Sequence, residues 1–345
     1  MKALLLSEYN RLELTEVPAP EAGPGELLIR VTACGICGSD VHGYDGSSGR
    51  RIPPIVMGHE AAGVVASVGE NVEGFAAGDR VTFDSTVYCG ECANCRRGDV
   101  NLCDRRQVLG VSCGEYRRSG AFADFVTVPA RICYMLPDNL AFEDAAMLEA
   151  VAVAVHAVSL APIPLSGSAL VIGAGTIGLL VQQALRAAGC KNVFVTDVDA
   201  SRLGLSESLG ATRTLLSASD LPKRVADLTD GMGVDVVVEA VGATQTIALA
   251  IDSVKKGGTV VLVGNISPEV NIHLQKVVSR QIRLQGSCAS AGEYPRAIEL
   301  VSRGEIQVRP LISAVAPLAQ GPKWFQRLHA REPNLMKVVL TPGEV

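Results

Sequence analysis

Along the first 33 residues apolar and polar positions alternate in the runs LELTEV and ELLIRVTA, which the turn-forming PAPEAGPG separates. A period of two puts every second side chain on one face, so this stretch predicts antiparallel strands joined by loops. The pattern returns after Pro53 and Pro54 in IVMGHEAAGVVASVG, again in FAAGDRVTF after its Gly-Asp turn, and across residues 119–136. LAFEDAAMLEAVAVAVHAVSLA then reads as one long helix, with Glu143 and Asp144 near the N-terminal end, where carboxylates are favoured. Past the Pro162–Pro164 linker the texture changes to short apolar strands and amphipathic helices: SALVIGAGTIGLLVQQALRAAG, NVFVTDVD, VDVVVEAVG, a helical run through Val254, and GGTVVLVGN. Repeated strand–helix units predict a doubly wound parallel sheet. IRLQGSCAS reads as a further strand that leaves this region near Ser287. The remainder, helical EYPRAIELVSRG and strand-like MKVVLTP, is too short to fold alone and is expected to rejoin the first region. The expected class is α/β, with a strand-rich domain at 1–153 and 288–345 and a parallel-sheet domain at 154–287.

Composition narrows the function. The 345 residues are long enough for two domains at about 150 residues each. With 48% hydrophobic and 19% charged residues, each can bury a core, which argues against disorder. A net charge of −5 without a long basic run disfavours nucleic acid and anionic membrane surfaces as partners. The start, MKALLLSEYN, has a lone Lys2 and an apolar run too short for a signal-peptide core, and Glu149 and His156 interrupt the longest apolar region. A cytoplasmic protein is expected.

The chemistry concentrates in the stretch from Cys34 to Glu60. Cys37 and His59 are donors suited to Zn²⁺, while Ser39, Asp40 and His42 place hydroxyl, carboxylate and imidazole in the same loop. Glycines at 35, 38 and 43 let that loop turn tightly. Downstream, Cys89, Cys92, Cys95 and Cys103 give C-x2-C-x2-C-x7-C in a lobe, about residues 86–105, with little apolar content. Four thiolates complete a tetrahedral zinc shell that leaves no place for water, so this ion is expected to fold the lobe; an iron–sulfur cluster or four unlinked cysteines are the alternatives. Cys34, Cys113, Cys133, Cys190 and Cys288 lack such spacing and read as packing thiols. Glu149, inside an apolar run, needs a partner, and a cation is the obvious one.

Gly173, Gly175 and Gly178 stand in G-x-G-x-x-G order between a strand and a helix, and Asp197 ends the next strand. Gly173 permits the tight turn, Gly175 the approach of a dinucleotide pyrophosphate, and Gly178 close helix–strand packing. Thr176 and Ile177 lie within that turn, and Val263 and Gly264 at the end of GGTVVLVGN are further candidate dinucleotide contacts. Asp197 suits ribose hydroxyls and repels a 2′-phosphate, which selects NAD over NADP, although Arg202 nearby is a residue type that can accommodate that phosphate.

Taken together, CGICGSDVH, GHEAAGVVASVG, the four-cysteine lobe and VIGAGTIG followed by VTDVD make the chain resemble the zinc-containing medium-chain dehydrogenase/reductase family over essentially its whole length. Within that family it is most similar to the polyol branch, that of sorbitol and galactitol-1-phosphate dehydrogenases. The resemblance implies a GroES-like catalytic domain and a Rossmann domain, with Cys37 and His59 on a catalytic zinc and Asp40 behind them. It leaves Glu60 and Glu149 as the two acids that bind the ion directly or hold its water. Two departures stand out: Ala150 replaces the proline usual after the second acid, and GSCASAGEY from Gly286 lacks the arginine–tyrosine pair of the polyol type, which disfavours free sorbitol.

The expected reaction is reversible oxidation of a secondary alcohol, on a polyol or sugar alcohol, to a ketone with NAD⁺. Ser39 would take the hydroxyl proton and pass it through a cofactor ribose hydroxyl to His42. A sugar-alcohol phosphate is the alternative substrate, with the pairs Arg50–Arg51 and Arg117–Arg118 as phosphate contacts in an inter-domain cleft. From another class, a silent NAD-sensing or scaffold protein would need neither an open metal nor a relay. His156 reads as a packed histidine, and His273 and His329 have no constellation around them. A homodimer or homotetramer is implied by the resemblance.

Overall fold

The computed structural model describes residues 1–112 and 117–343. The chain forms two compact units, one of Met1–Glu149, Ser290–Ser302 and Val308–Val345, the other of Ala150–Ala289 and Arg303–Gln307. The sequence placed the boundaries at 153/154 and 287/288 and did not foresee the return of Arg303–Gln307. That short segment is tied to the second unit by Gln183, whose amide accepts from Gln307 N at 2.7 Å and donates to Gln307 O at 3.2 Å.

The first unit is built on the strand Glu26–Gly35. It pairs antiparallel with Glu60–Val68, Phe125–Pro129 and Lys337–Thr341 within a seven-stranded sheet. Its burial alternates for most of its length and then becomes continuous at Ala33, Cys34 and Gly35, where the strand enters the interior. Register puts Gly35 opposite both Glu60 and Val339, so three segments far apart in sequence end at one corner of the sheet. Leu27, Ile29, Met57, Phe122 and Phe325 fill the core beneath it.

The second unit holds a six-stranded, all-parallel sheet. In spatial order its strands are Arg213–Leu216, Asn192–Asp197, Ser168–Ile172, Val234–Glu239, Val254–Leu262 and Arg283–Gly286, which is 3-2-1-4-5-6 by chain order. That is the dinucleotide-binding order, with its reversal beside the first strand. The inner strands carry apolar side chains on both faces because both are covered, as consecutive buried Val236, Val237 and Val238 show. No helix among the described residues is long and apolar enough to cross a membrane.

One expected helix is two. Phe142–Ala145 and Leu148–Ser159 are separate, and Met147 N donates to Asp144 O at 3.0 Å in the turn between them. No proline or glycine causes the break. Ala145 to Leu148 are wholly buried, and Ala146 packs against Ala33 and Val339 of the sheet, so packing overrides helix propensity there. The result puts Glu149 in a first helical turn. Of the expected packing thiols, Cys34, Cys133 and Cys190 are buried and Cys288 is half-buried, while Cys113 lies outside the described residues.

Candidate active site and structural metal centre

Cys37 caps the helix Gly38–Tyr44, and Asp40 at its third position reaches back to accept from Cys37 N at 3.2 Å. The same fully buried carboxylate accepts from Arg51 Nη2 at 2.9 Å and lies 3.3 Å from His59 Nδ1. Burial alone raises a carboxyl pKa, but the His59 and Arg51 charges overcome it and hold Asp40 at about 2. Burial lowers the His59 pKa, yet the Asp40 and Cys37 charges leave it well above the usual imidazole value. With Nδ1 facing Asp40, Nε2 is the nitrogen left for a metal.

Glu60 follows His59 on its strand. A Cβ at Gly35 would come within 2.4 Å of Glu60 Oε2, so the glycine makes room for that carboxylate. Lys337, from the last strand, donates to both Glu60 oxygens at 2.8 and 2.6 Å and to Ile36 O at 3.1 Å, deep in the protein. The ligand atoms of Cys37, His59 and Glu60 lie within 4.8 Å of one another, a thiolate–imidazole–carboxylate set that fits three protein ligands of a catalytic zinc. Glu149 is outside that group. Its carboxyl is nevertheless pushed up to about 7, by burial first and by the Glu60 and Asp84 charges, against the opposing pull of His59 and Lys337. It lies within electrostatic reach of that cluster without being part of it.

Asp84 is a neighbour that sequence reading missed. It is buried, accepts from Thr86 N at 2.7 Å and Ser290 Oγ at 3.2 Å, and is pushed up to about 6 mainly by burial. Tyr294, stacked on Tyr134 with ring centroids 4.9 Å apart, has a buried hydroxyl without a partner among the described residues. An acid in a strand-like run, VTFDS, was the available signal, the same one that drew attention to Glu149.

In the lobe, Cys89, Cys92, Cys95 and Cys103 also converge within 4.8 Å. Cys95 Sγ is 3.9 Å from Cys89 Sγ and 3.5 Å from Cys92 Sγ. Zinc–sulfur bonds of about 2.3 Å at tetrahedral angles separate the sulfurs by about 3.8 Å, so the four fit one ion. Backbone N–H groups of Cys92 and Glu91 help lower the Cys89 thiol to about 6, and N–H groups of Cys89 and Arg105 point at Cys103 Sγ. Between Cys89 and Asp104 only Asn101 and Cys103 are buried, so no apolar core could hold this loop.

In the second unit, Gly173 has φ +98°, and a Cβ on Gly178 would lie 1.7 Å from Gly173 O. A Cβ on Gly175 would meet no protein atom, and Gly175 caps the helix Thr176–Ala187 without a side-chain bond. The first N–H groups of a helix have no intrahelical partner, so this end, with room beside Gly175, fits an anionic pyrophosphate. Asp197 accepts from Ala174 N at 2.6 Å and Asp199 N at 2.9 Å, locking the second strand to the glycine turn. Arg202 pairs with Asp199 at 3.7 Å. Val263 and Gly264 both donate to Glu239 O, and Gly264 crosses Gly242 too closely for any side chain.

The relay candidates are only partly gathered. Ser39 is exposed on the helix that Cys37 caps, and His42 lies one turn on, with Ser47 Oγ 3.5 Å from its Nδ1. The expected phosphate arginines are dispersed. Arg51 is buried on Asp40, Arg118 pairs with Glu26 at 2.6 Å, Arg117 donates to Pro54 O, and Arg50 is exposed. Lys337 was missed although it is the sole charge in the apolar KVVL, because nothing local names its partner.

Comparison with known proteins gives the family. The alcohol dehydrogenase GroES-like domain family matches residues 23–138, and the zinc-binding dehydrogenase family matches residues 176–303. Sorbitol dehydrogenase of Bacillus subtilis (strain 168) is 30% identical over 99% of this chain and 98% of its own. D-arabitol-phosphate dehydrogenase of Enterococcus avium is 34% identical over 96% and 94%. Among solved structures, a zinc-binding dehydrogenase fold from Sinorhizobium meliloti 1021, bound to NADP, superposes with a TM-score of 0.90 at 34% identity, covering 99% of each chain. With its cysteine lobe, its thiolate–imidazole–carboxylate corner and its glycine turn accounted for, the chain belongs to the polyol branch of the zinc-containing medium-chain dehydrogenases.

Proposed function

We propose that the protein oxidises a secondary alcohol of a polyol reversibly to the ketone, with NAD⁺ as hydride acceptor. The observation that carries this is the convergence of Cys37, His59 and Glu60 beside the exposed hydroxyl of Ser39. Zinc at that corner supplies a Lewis acid that makes an alcohol proton easier to remove near neutrality. The chain does the rest. Asp40 fixes the imidazole of His59, Lys337 fixes the carboxylate of Glu60, and Ser39 accepts the substrate proton on its way toward His42. Of the two acids, Glu60 is assigned as the third ligand, because it lies in the cluster. Glu149, with its pKa near 7, is assigned to a proton or water beside the fourth position.

A second zinc is assigned to Cys89, Cys92, Cys95 and Cys103, giving two per chain. Asp197 closes the glycine turn with a carboxylate and Arg202 is paired with Asp199, both of which favour NAD over NADP. A cytoplasmic homodimer or homotetramer accompanies this reading: the edge strand Arg283–Gly286 pairs on one side only, and Leu274 and Val278 just before it are exposed.

The test is a matched NAD⁺ and NADP⁺ reduction screen of zinc-replete protein on free polyols, polyol phosphates, 2,3-diols and threonine-like alcohols. NADH formation with free polyols is expected to exceed that with their phosphates, since Arg51 and Arg118 are already committed to carboxylates. Tight NADH binding with no turnover on any alcohol would instead support the silent sensor.

A further inference from the structure

Arg51 is 3% exposed, and the one task given to it so far is the ion pair with Asp40. Its stem crosses the helix Gly38–Tyr44 at Gly43, where a Cβ would lie 2.5 Å from Arg51 Cγ. Its Nη2 donates both hydrogens inward, one to Asp40 Oδ1 at 2.9 Å and one to Ser39 Oγ at 3.0 Å. Nε is buried without a partner among the described residues. A guanidinium placed only to neutralise Asp40 would do so best through a two-nitrogen fork. Here one nitrogen is divided between carboxylate and hydroxyl while a second donor is left unused, so the geometry favours the Ser39 contact at the expense of the ion pair.

We propose that Arg51 is a positioning residue that holds the Ser39 hydroxyl in one orientation for proton transfer and couples it to the carboxylate that orients His59. A hydroxyl has one donor site and two acceptor sites. Arg51 occupies one acceptor site, leaving the other for the substrate proton and the O–H for the next acceptor in the relay. As the substrate O–H bond breaks, a new Ser39 O–H bond forms, and the original Ser39 proton departs. Guanidinium stays protonated and has no acceptor, so the proton cannot leave through Arg51 and must move away from it.

The inference rests on Ser39 being the proton acceptor in alcohol oxidation, and a double-mutant cycle separates the two. Full-length, zinc-replete Arg51→Lys, Ser39→Ala and the double variant are compared for kcat, KM, solvent isotope effect, zinc content and Tm. Lysine keeps the charge beside Asp40, but its nitrogen ends one bond short of Nη2 and so withdraws from Ser39. Arg51→Lys is expected to lower kcat roughly tenfold, part of the ~10²–10⁴ that such proton transfer contributes, with little change in KM and a larger isotope effect. In the Ser39→Ala background the same change is expected to cost nothing more, with two zinc ions retained throughout. If lysine disturbs the fold, Arg51→Gln, whose amide nitrogen stands where Nε does and so falls short of Ser39, takes its place in the cycle. Equal losses in both backgrounds, or a lower kcat with an unchanged isotope effect, would overturn the role of Arg51. Full kcat in Ser39→Ala alone would overturn the relay reading, and Arg51's role with it.

Discussion

Glu60 and Lys337 are 1% and 3% exposed, and both carboxylate oxygens face one ammonium at 2.6–2.8 Å. In zinc-free protein, removing one member of such a pair strands the other charge in a medium that cannot solvate it. Lys337→Met is therefore expected to cost about 3–5 kcal/mol in denaturant unfolding, while Lys337→Arg keeps the charge and loses less. Asp84 has the opposite character. Its folded pKa of about 6 lies above the ordinary value of 3.8, so ionising it in place opposes folding. That penalty is absent below the unfolded value, grows between the two, and is complete above pH 6. Asp84→Asn should therefore raise Tm at pH 8 and leave it nearly unchanged at pH 3.5, as calorimetry at the two pH values would show; a gain at both would point to a cause other than charge.

Among the elements, the glycine turn separates architecture from binding within six residues. Gly178→Ala drives a methyl into Gly173 O, where no side chain can yield, and is expected to destabilise the protein severely. Gly175→Ala meets no protein atom at φ −75° and should leave Tm unchanged while weakening NADH binding at least tenfold, which fluorescence titration can read. Alanine at 175 with unaltered NADH affinity would remove the turn from the dinucleotide site. The split helix belongs to this scale too: the turn at Ala146–Met147, not a proline, puts Glu149 at a helix start, so the Ala150 departure matters less than the sequence suggested.

For the whole molecule, the proposed assignment gives one metal to folding and the other to turnover. Elemental analysis is expected to find two zinc ions per chain. Cys103→Ser should lose one of them and lower Tm sharply, because in a lobe without an apolar core the metal-binding energy is folding energy. His59→Ala should lose the other, abolish turnover and leave most of the thermal stability intact. The reverse pattern would exchange the two roles.

Much of this was legible in the chain itself wherever the chemistry is local. Four cysteines within 15 residues, or three glycines between a strand and a helix with an acid closing the next strand, converge because a short loop has few ways to fold. Strand–helix alternation likewise determined the parallel sheet, since each period admits one kind of buried face. Tertiary structure decided what depends on distant segments: that Glu60 and not Glu149 joins Cys37 and His59, that Lys337 comes back across 277 positions to hold it, and that Arg51 is buried on Ser39 and Asp40 and so is not free for a phosphate. A lone charge in an apolar run announces that a partner exists. Only the register of the strands, which brings Gly35 between Glu60 and Val339, says which one, because separation along the chain carries no information about distance once a sheet has formed.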